Sequence, residues 1–133
     1  MNYVAILVAV IASIVIGFLW YGPVFGKLWM NLMGFTKKDI DSAKKKEMGK
    51  SYFFMIIGTL VTAYVLSMLM DLTGSVGYVA GAILSFWIWI GFVATTTLSS
   101  VIWEGKSWKL WFLNNAHTLV SLLVMGLILG AWV

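Results

Sequence analysis

Four polar residues near the end of this chain share one face of a predicted helix. They follow the spacing i, i+3, i+4 and i+7, and they are Asn114, His117, Thr118 and Ser121. Hydroxyl groups also cluster in the preceding apolar segment, where Thr96 and Ser100 lie. An amide, an imidazole and several hydroxyls at this spacing can hold a polar ligand, an ion or water, or can join two helices by hydrogen bonds.

His117 is the only histidine of the chain, and Glu104 is the carboxylate nearest to it in sequence. The functional interpretation is a small hydrated pocket or proton-handling site centred on His117, because an ionisable group inside a membrane span is a candidate site. The structural interpretation is a neutral imidazole that bonds a hydroxyl and a backbone carbonyl. Glu104 then lies at the membrane interface near Lys106. Both interpretations are open at this stage.

The rest of the composition excludes several kinds of chemistry. The chain has no cysteine and one histidine, so neither a disulfide nor a structural metal site is expected. No predicted span carries Asp, Glu or Lys well inside it, which disfavours proton-coupled antiport. Acid-base catalysis would depend on His117 alone, so we expect neither an enzyme nor a bound cofactor.

Four long apolar segments must position these residues. They cover about residues 2–22, 51–70, 78–103 and 110–133, and each reaches the roughly 20 residues that an α-helix needs to cross a bilayer. Hydrophobic residues make up 62% of the 133 and charged residues 11%, a composition that excludes a soluble domain. The sequence therefore predicts an all-α integral membrane protein, with a single four-helix up-down bundle over residues 1–133.

The charges predict the orientation of this bundle. All nine basic residues are lysines, and they lie only in the segments 27–50 and 106–109, after the first and third predicted spans. The positive-inside rule then predicts that the loop 23–50 is cytoplasmic and that both termini lie outside. The net charge of +4 suits membrane lipid headgroups better than nucleic acid, with Lys44, Lys45 and Lys46 as headgroup contacts. A docking surface for an unknown cytosolic protein is the alternative for this loop.

The basic loop is expected to contain two short helices. Pro23 ends the first span, and an apolar stripe at helical spacing then predicts a short amphipathic helix in the headgroup region; its members are Leu28, Trp29, Leu32 and Met33. Thr36 and Asp39 match a capping box, which predicts a second short helix before the second span.

The short turn between the third and fourth spans sets which residues lie level in the membrane. If the two helices run antiparallel without irregularity, Thr96 lies level with His117 and Ser99 with Asn114. The polar face of the fourth span is therefore expected to meet the hydroxyl groups of the third.

Glycines at a spacing of four predict close helix contacts. They are Gly77 and Gly81 at the start of the third span and Gly126 and Gly130 at the end of the fourth. These pairs either join subunits or pack against each other within one hairpin. We expect a homo-oligomer, because four packed helices leave no lumen and any conduit would form between subunits.

The chain also contains a weak internal repeat. Gly26-Lys27-Leu28-Trp29 follows the first span, and Gly105-Lys106-Ser107-Trp108 follows the third. This is consistent with two repeated hairpins related by an axis along the membrane normal.

Two motifs resemble a known family. The run from Gly17 to Lys27, with Trp20-Tyr21-Gly22-Pro23 at its centre, and the run from Trp103 to Leu110 look like the small bacterial membrane family known as domain of unknown function 1761. The resemblance covers essentially the whole chain. It implies a four-helix integral protein of the bacterial inner membrane, and it implies no catalytic or binding residues.

Three classes of function are compatible with these observations. A homo-oligomeric binding or accessory membrane protein is preferred, with a polar cluster around His117. A small channel or transporter with a conduit at the subunit interface is the alternative, and a membrane-embedded enzyme using His117 is the third. The residues that surround the polar face of the fourth span should distinguish these three classes.

Overall fold

The fold is an all-α membrane bundle, as the sequence predicts. A computed structural model describes residues 2–34 and 37–132, with the side chains of 37–48 excepted. Four helical segments are long and apolar enough to cross a membrane, and we call them spans one to four: Tyr3–Val24, Gly49–Thr73, Tyr78–Ile102 and Trp108–Ala131. The chain is thus a multi-pass membrane protein, and the predicted spans match the observed ones to within a few residues.

Span one begins with a defined cap and ends in an irregular turn. The Asn2 side chain accepts hydrogen bonds from the backbone N–H groups of Val4 and Ala5, which starts helix α1 at Tyr3–Leu19. A π-helical segment, Trp20–Val24, follows and contains Pro23. Because proline cannot donate a backbone hydrogen bond, the regular helix stops here.

The predicted amphipathic helix is present as α2, Gly26–Met33, and Gly34 ends it with a φ of 74°. The prediction of a separate second short helix is wrong. Helix α3 runs without a break through Lys37–Thr73, so the basic segment continues directly into span two. Lys44, Lys45 and Lys46 lie on this helix, but their headgroup contacts fall outside the described side chains, as does the Thr36 cap.

Span three is the least regular of the four. It consists of α4, Tyr78–Ile88; a π-helical segment, Trp89–Ala94; and the short helices α5, Thr95–Thr97, and α6, Ser99–Ile102. A turn with Gly105 at a φ of 71° leads to Ser107, whose hydroxyl caps α7, Trp108–Ala131.

Span four lies at the centre of the bundle. It packs along span one on one side and span three on the other, while span two packs against span one. Spans two and three touch little, mainly where Met70 lies beside Gly81. Two hairpins related by a two-fold axis would pair span two with span three as closely as span one with span four. The observed arrangement departs from that symmetry and is open on one side.

The glycines of the second hairpin contact each other within the chain. A Cβ atom built on Gly81 or on Gly126 would overlap the other residue's backbone carbonyl. A Cβ atom on Gly130 would overlap the Gly77 carbonyl, whereas one on Gly77 would meet nothing within 4 Å. The Gly77 N–H also donates to the Gly130 carbonyl at 3.2 Å. Of the two roles predicted for these glycines, packing within one hairpin is therefore the observed one. They provide no evidence for a subunit contact.

Candidate functional site

The polar residues of span four divide between two faces. Asn114, His117 and Ser121 lie against span one, whereas Thr118 and its neighbour Asn115 lie against span three. The expectation that the whole polar stripe meets the hydroxyls of span three is therefore wrong. We call the end of the bundle where spans one and three finish the lysine end.

The contact with span one repeats at every turn of the helix. At the lysine end the Tyr21 hydroxyl donates to Asn114 Oδ1 at 2.8 Å. One turn deeper, Gly17 faces His117, and a Cβ on this glycine would lie 3.6 Å from Nε2. One turn deeper again, the hydroxyl groups of Ser13 and Ser121 share a hydrogen bond. Span one therefore supplies a matched face of small and polar residues.

His117 lies in an aromatic setting. The centre of its ring is 5.0 Å from that of Tyr21 and 6.0 Å from that of Trp20. Within the described chain, His117 Nε2 is buried without a hydrogen-bond partner, and so is the indole N–H of Trp20. A buried polar atom without a partner costs about 1–3 kcal/mol, so each is a candidate contact for a bound molecule.

Hydrogen bonds from Thr97 and Trp89 join span three to Asn115 and Thr118 of span four. The Thr97 hydroxyl donates to Asn115 Oδ1 at 2.9 Å, and Asn115 Nδ2 donates to the Trp111 carbonyl at 2.9 Å. Trp89 Nε1 donates to the Asn115 carbonyl at 2.9 Å and to Thr118 Oγ1 at 3.1 Å. This network joins the two helices and engages both the oxygen and the nitrogen of the Asn115 side-chain amide, which indicates a structural role.

Three predicted site residues do not meet His117. The Thr96 hydroxyl donates to the carbonyl of Phe92 in its own helix, and the Ser100 hydroxyl donates to that of Thr97. Glu104 is exposed in the turn. The hydrogen bond from Thr97 to Asn115 shows that the predicted levels hold near the turn. The Thr96 and Ser100 hydroxyls nevertheless turn back onto their own helix instead of facing His117.

A cavity of about 420 Å³ lies beside His117, between the four spans. Its polar wall is formed by Ser13, Thr59, Thr62, His117, Thr118 and Ser121. Ile88, Leu122 and Met125 contribute apolar surface. The cavity opens where Gly58 and Thr62 are exposed and spans two and three touch little. A smaller cavity of about 270 Å³ extends this cleft along Leu66 and Leu69, so we call the whole the lateral cleft.

A second cavity, of about 310 Å³, lies at the lysine end between spans three and four. We call it the lysine-end groove. Its lining includes Thr96, Ser100, Lys106, Trp111, Asn114 and Thr118. The predicted cluster is thus divided: His117 and Ser121 line the lateral cleft, Thr96, Ser100 and Asn114 line the groove, and Thr118 lines both.

A larger cavity, of about 600 Å³, lies at the opposite end of the bundle. Asn2 and Asp71 line it, but the Asn2 side-chain oxygen already caps span one. None of the sequence-predicted site residues reaches this cavity, so size alone does not make it the better candidate. Among the described residues, no group of three metal-ligating side chains occurs in any part of the bundle.

Sequence reasoning missed the contribution of span one. Ser13, Gly17 and Tyr21 recur at i, i+4 and i+8, and this spacing of small and polar residues in an apolar segment was the available signal. Asn115 and Trp89 were also missed as partners. Trp87 and Trp89 point to different faces, since Trp87 is 64% exposed while Trp89 bonds span four.

Comparisons with known proteins agree with this architecture. The sequence model of a family described as protein of unknown function, DUF1761, matches residues 4–130. No curated protein and no solved structure matches the chain. Because the match covers nearly the whole bundle, the chain belongs to the DUF1761 family.

Proposed function

We propose that this protein is a membrane-embedded binding protein for a neutral, hydroxyl-bearing amphiphile that enters the lateral cleft from the lipid. The single observation that carries the proposal is His117 Nε2, which is buried without a hydrogen-bond partner among the described residues and belongs to a ring that lines the cleft. A hydroxyl group both donates and accepts hydrogen bonds, so one alcohol can bond an imidazole nitrogen and a neighbouring donor.

The charge of the cleft supports a neutral ligand. Among the described residues that line it, none is Asp, Glu, Lys or Arg. A charged headgroup would therefore be buried without a counter-ion, which is costly in lipid. The same absence of a carboxylate beside His117 supports binding rather than acid-base catalysis.

The shape of the cleft supports a ligand with one alkyl chain. A volume of about 420 Å³ lies within the usual range for small-molecule sites. Ser13, Ser121 and Thr118 line the same cavity as His117, while the extension past Leu66 and Leu69 is mainly apolar. A polar head at His117 and a chain along spans two and three match this distribution.

Lateral entry is supported by the exposed mouth at Gly58. A Cβ atom on Gly58 would meet nothing within 4 Å, so Gly58→Leu places a side chain in the mouth without displacing the bundle. Gly91→Leu is the matched control, because Gly91 is equally exposed and open but lies outside the cleft.

The test is photo-crosslinking of the purified protein in lipid nanodiscs with a diazirine-bearing long-chain alcohol. We expect Gly58→Leu to lower labelling about tenfold, the effect of losing about 1.4 kcal/mol of binding, and Gly91→Leu to label like the parent protein. Peptides containing His117 or Thr62 should carry the label. Equal labelling of both variants, or labelling confined to lipid-facing surfaces, would refute the cleft as a binding site.

Transport between the two cavities is the second candidate function. Thr118 lines both the lateral cleft and the lysine-end groove, and the Trp89 hydrogen bonds to Thr118 and Asn115 lie between them. A conduit within one chain would replace the one first expected at a subunit interface. Release of the same alcohol from one leaflet to the other in proteoliposomes would favour it, whereas binding without transfer favours the binding protein.

A further inference from the structure

We propose that the lysine-end groove is a second, separate site that binds the phosphodiester headgroup of a membrane lipid whose head also carries hydroxyl groups, as phosphoglycerol does. This goes beyond binding in the lateral cleft, and it rests on different residues.

The charge of the groove selects for an anion. Lys106 lines it, and no carboxylate lies among the described residues of its wall. A single ammonium group matches the single negative charge of a phosphodiester. A phosphomonoester would carry more charge than the groove neutralises.

Two further donors in the groove are unused. Asn114 Oδ1 accepts the Tyr21 hydroxyl, which leaves Asn114 Nδ2 without an acceptor in the described chain. The indole N–H of Trp111 is likewise unpartnered there. Phosphate oxygens accept hydrogen bonds from such groups, and charge-assisted bonds of this kind are the stronger ones.

The hydroxyl groups on the opposite wall select the rest of the headgroup. Thr96, Ser99 and Ser100 each donate to a carbonyl of their own span, so their oxygen lone pairs remain to accept. A headgroup that offers hydroxyl donors beyond its phosphate complements this wall. Donors on one side and acceptors on the other thus fit a phosphodiester bearing free hydroxyls better than inorganic phosphate.

The groove also lies at the depth where lipid headgroups are found. The groove lies beside the turn that joins spans three and four, where Trp103 and Trp108 are exposed as interfacial tryptophans are. A lipid could hold its headgroup in the groove while its chains remain in the bilayer.

The test measures retained lipid by native mass spectrometry after the protein is exchanged from nanodiscs into detergent. Three kinds of nanodisc are compared. One contains phosphatidylcholine alone, and the other two contain phosphatidylcholine with either phosphatidylglycerol or phosphatidylserine, at the same total negative charge. We expect phosphatidylglycerol to be retained preferentially and its retention to fall about fivefold in Lys106→Gln, the factor expected for one lysine near the membrane surface.

Lys109→Gln is the matched control. It removes the same charge three residues away, but Lys109 does not line the groove. Diffuse attraction of anionic lipid predicts equal losses in both variants, whereas the groove predicts a loss in Lys106→Gln alone and recovery in Lys106→Arg. Equal losses, no loss, or equal retention of phosphatidylserine and phosphatidylglycerol would overturn the proposal.

Two further measurements distinguish a lipid from a soluble phosphate ester as the ligand, and the groove from the lateral cleft as the site. If free glycerophosphoglycerol, a soluble phosphodiester added without lipid, raises the melting temperature of the parent but not of Lys106→Gln, the groove binds a soluble phosphate ester and the lipid assignment is wrong. Gly58→Leu should retain phosphatidylglycerol like the parent, so that failure of the lateral cleft and failure of the groove give different results. Size-exclusion profiles identical to the parent's show that a variant's loss is not misfolding.

Discussion

The hydroxyl of Tyr21 and the side-chain oxygen of Asn114 are joined by a hydrogen bond of 2.8 Å at the lysine end of the bundle. This bond connects the last turn of span one to the first turns of span four. It also fixes the Asn114 amide so that its oxygen faces span one, while its nitrogen has no acceptor among the described residues. The same contact therefore closes one helix interface and prepares a donor for the lysine-end groove.

Tyr21→Phe should destabilise the bundle. The substitution keeps the ring that packs against His117 but leaves Asn114 Oδ1 without its donor, so we expect a loss of about 1 kcal/mol. Reversible unfolding in mixed micelles measures this loss. Tyr64→Phe is the control, because Tyr64 is exposed on span two. Equal stability of the two variants would show that the Tyr21 hydroxyl contributes nothing.

Gly126→Ala should destabilise the second hairpin without changing the subunit number. An added methyl group overlaps the Gly81 carbonyl and the Ser85 hydroxyl, and overpacking of this kind costs about 1–3 kcal/mol. Gly91→Ala is the control, since its Cβ would meet nothing within 4 Å. Unfolding measures the loss, and mass measured in mild detergent gives the subunit number. A fall in mass at unchanged stability would instead assign Gly126 to a subunit contact and support the predicted homo-oligomer.

The spans could be predicted from sequence because they depend on one property, the length of each apolar run. Even so, the number of helices in the basic loop was misjudged. The capping signal at Thr36 lies outside the described residues, and nothing in the pattern around Gly49 indicates whether a helix in the basic segment stops before span two. The structure continues it from Lys37 through Thr73.

The candidate site could be predicted only in part, because helical spacing identifies a face but not the partner of that face. The stripe through His117 is real, yet Ser13 and Gly17 of span one face it rather than Thr96 of span three. The physical reason is that a threonine in a helix can donate to its own backbone, as Thr96 does, so its hydroxyl does not need a partner on the neighbouring helix.

The orientation predicted from the lysines gives a test that needs no purified protein. The chain has no cysteine, so single substitutions can be labelled with an impermeant thiol reagent on intact cells. We expect Ser75→Cys, between spans two and three, to react, and Ser42→Cys, in the basic segment, to react only after the cells are permeabilised. The reverse pattern would place the lysine end outside.

His117→Phe should separate stability from function. Phenylalanine keeps an aromatic ring beside Tyr21 and Trp20 but removes a nitrogen that is buried without a partner in the described structure. Removing such an atom relieves a penalty of about 1–3 kcal/mol, so the free energy of unfolding should stay equal or rise. Labelling by the long-chain alcohol should fall, because the ligand's hydroxyl then has no imidazole to bond.

His117→Gln completes this experiment, since glutamine restores a polar group without the ring. We expect it to keep part of the labelling and to be less stable than His117→Phe, because the aromatic contacts are lost. A role in helix pairing alone predicts a different result: His117→Phe would lose stability and retain its labelling. The two measurements together therefore decide whether the imidazole is retained for its hydrogen bond to a ligand or for the structure of the bundle.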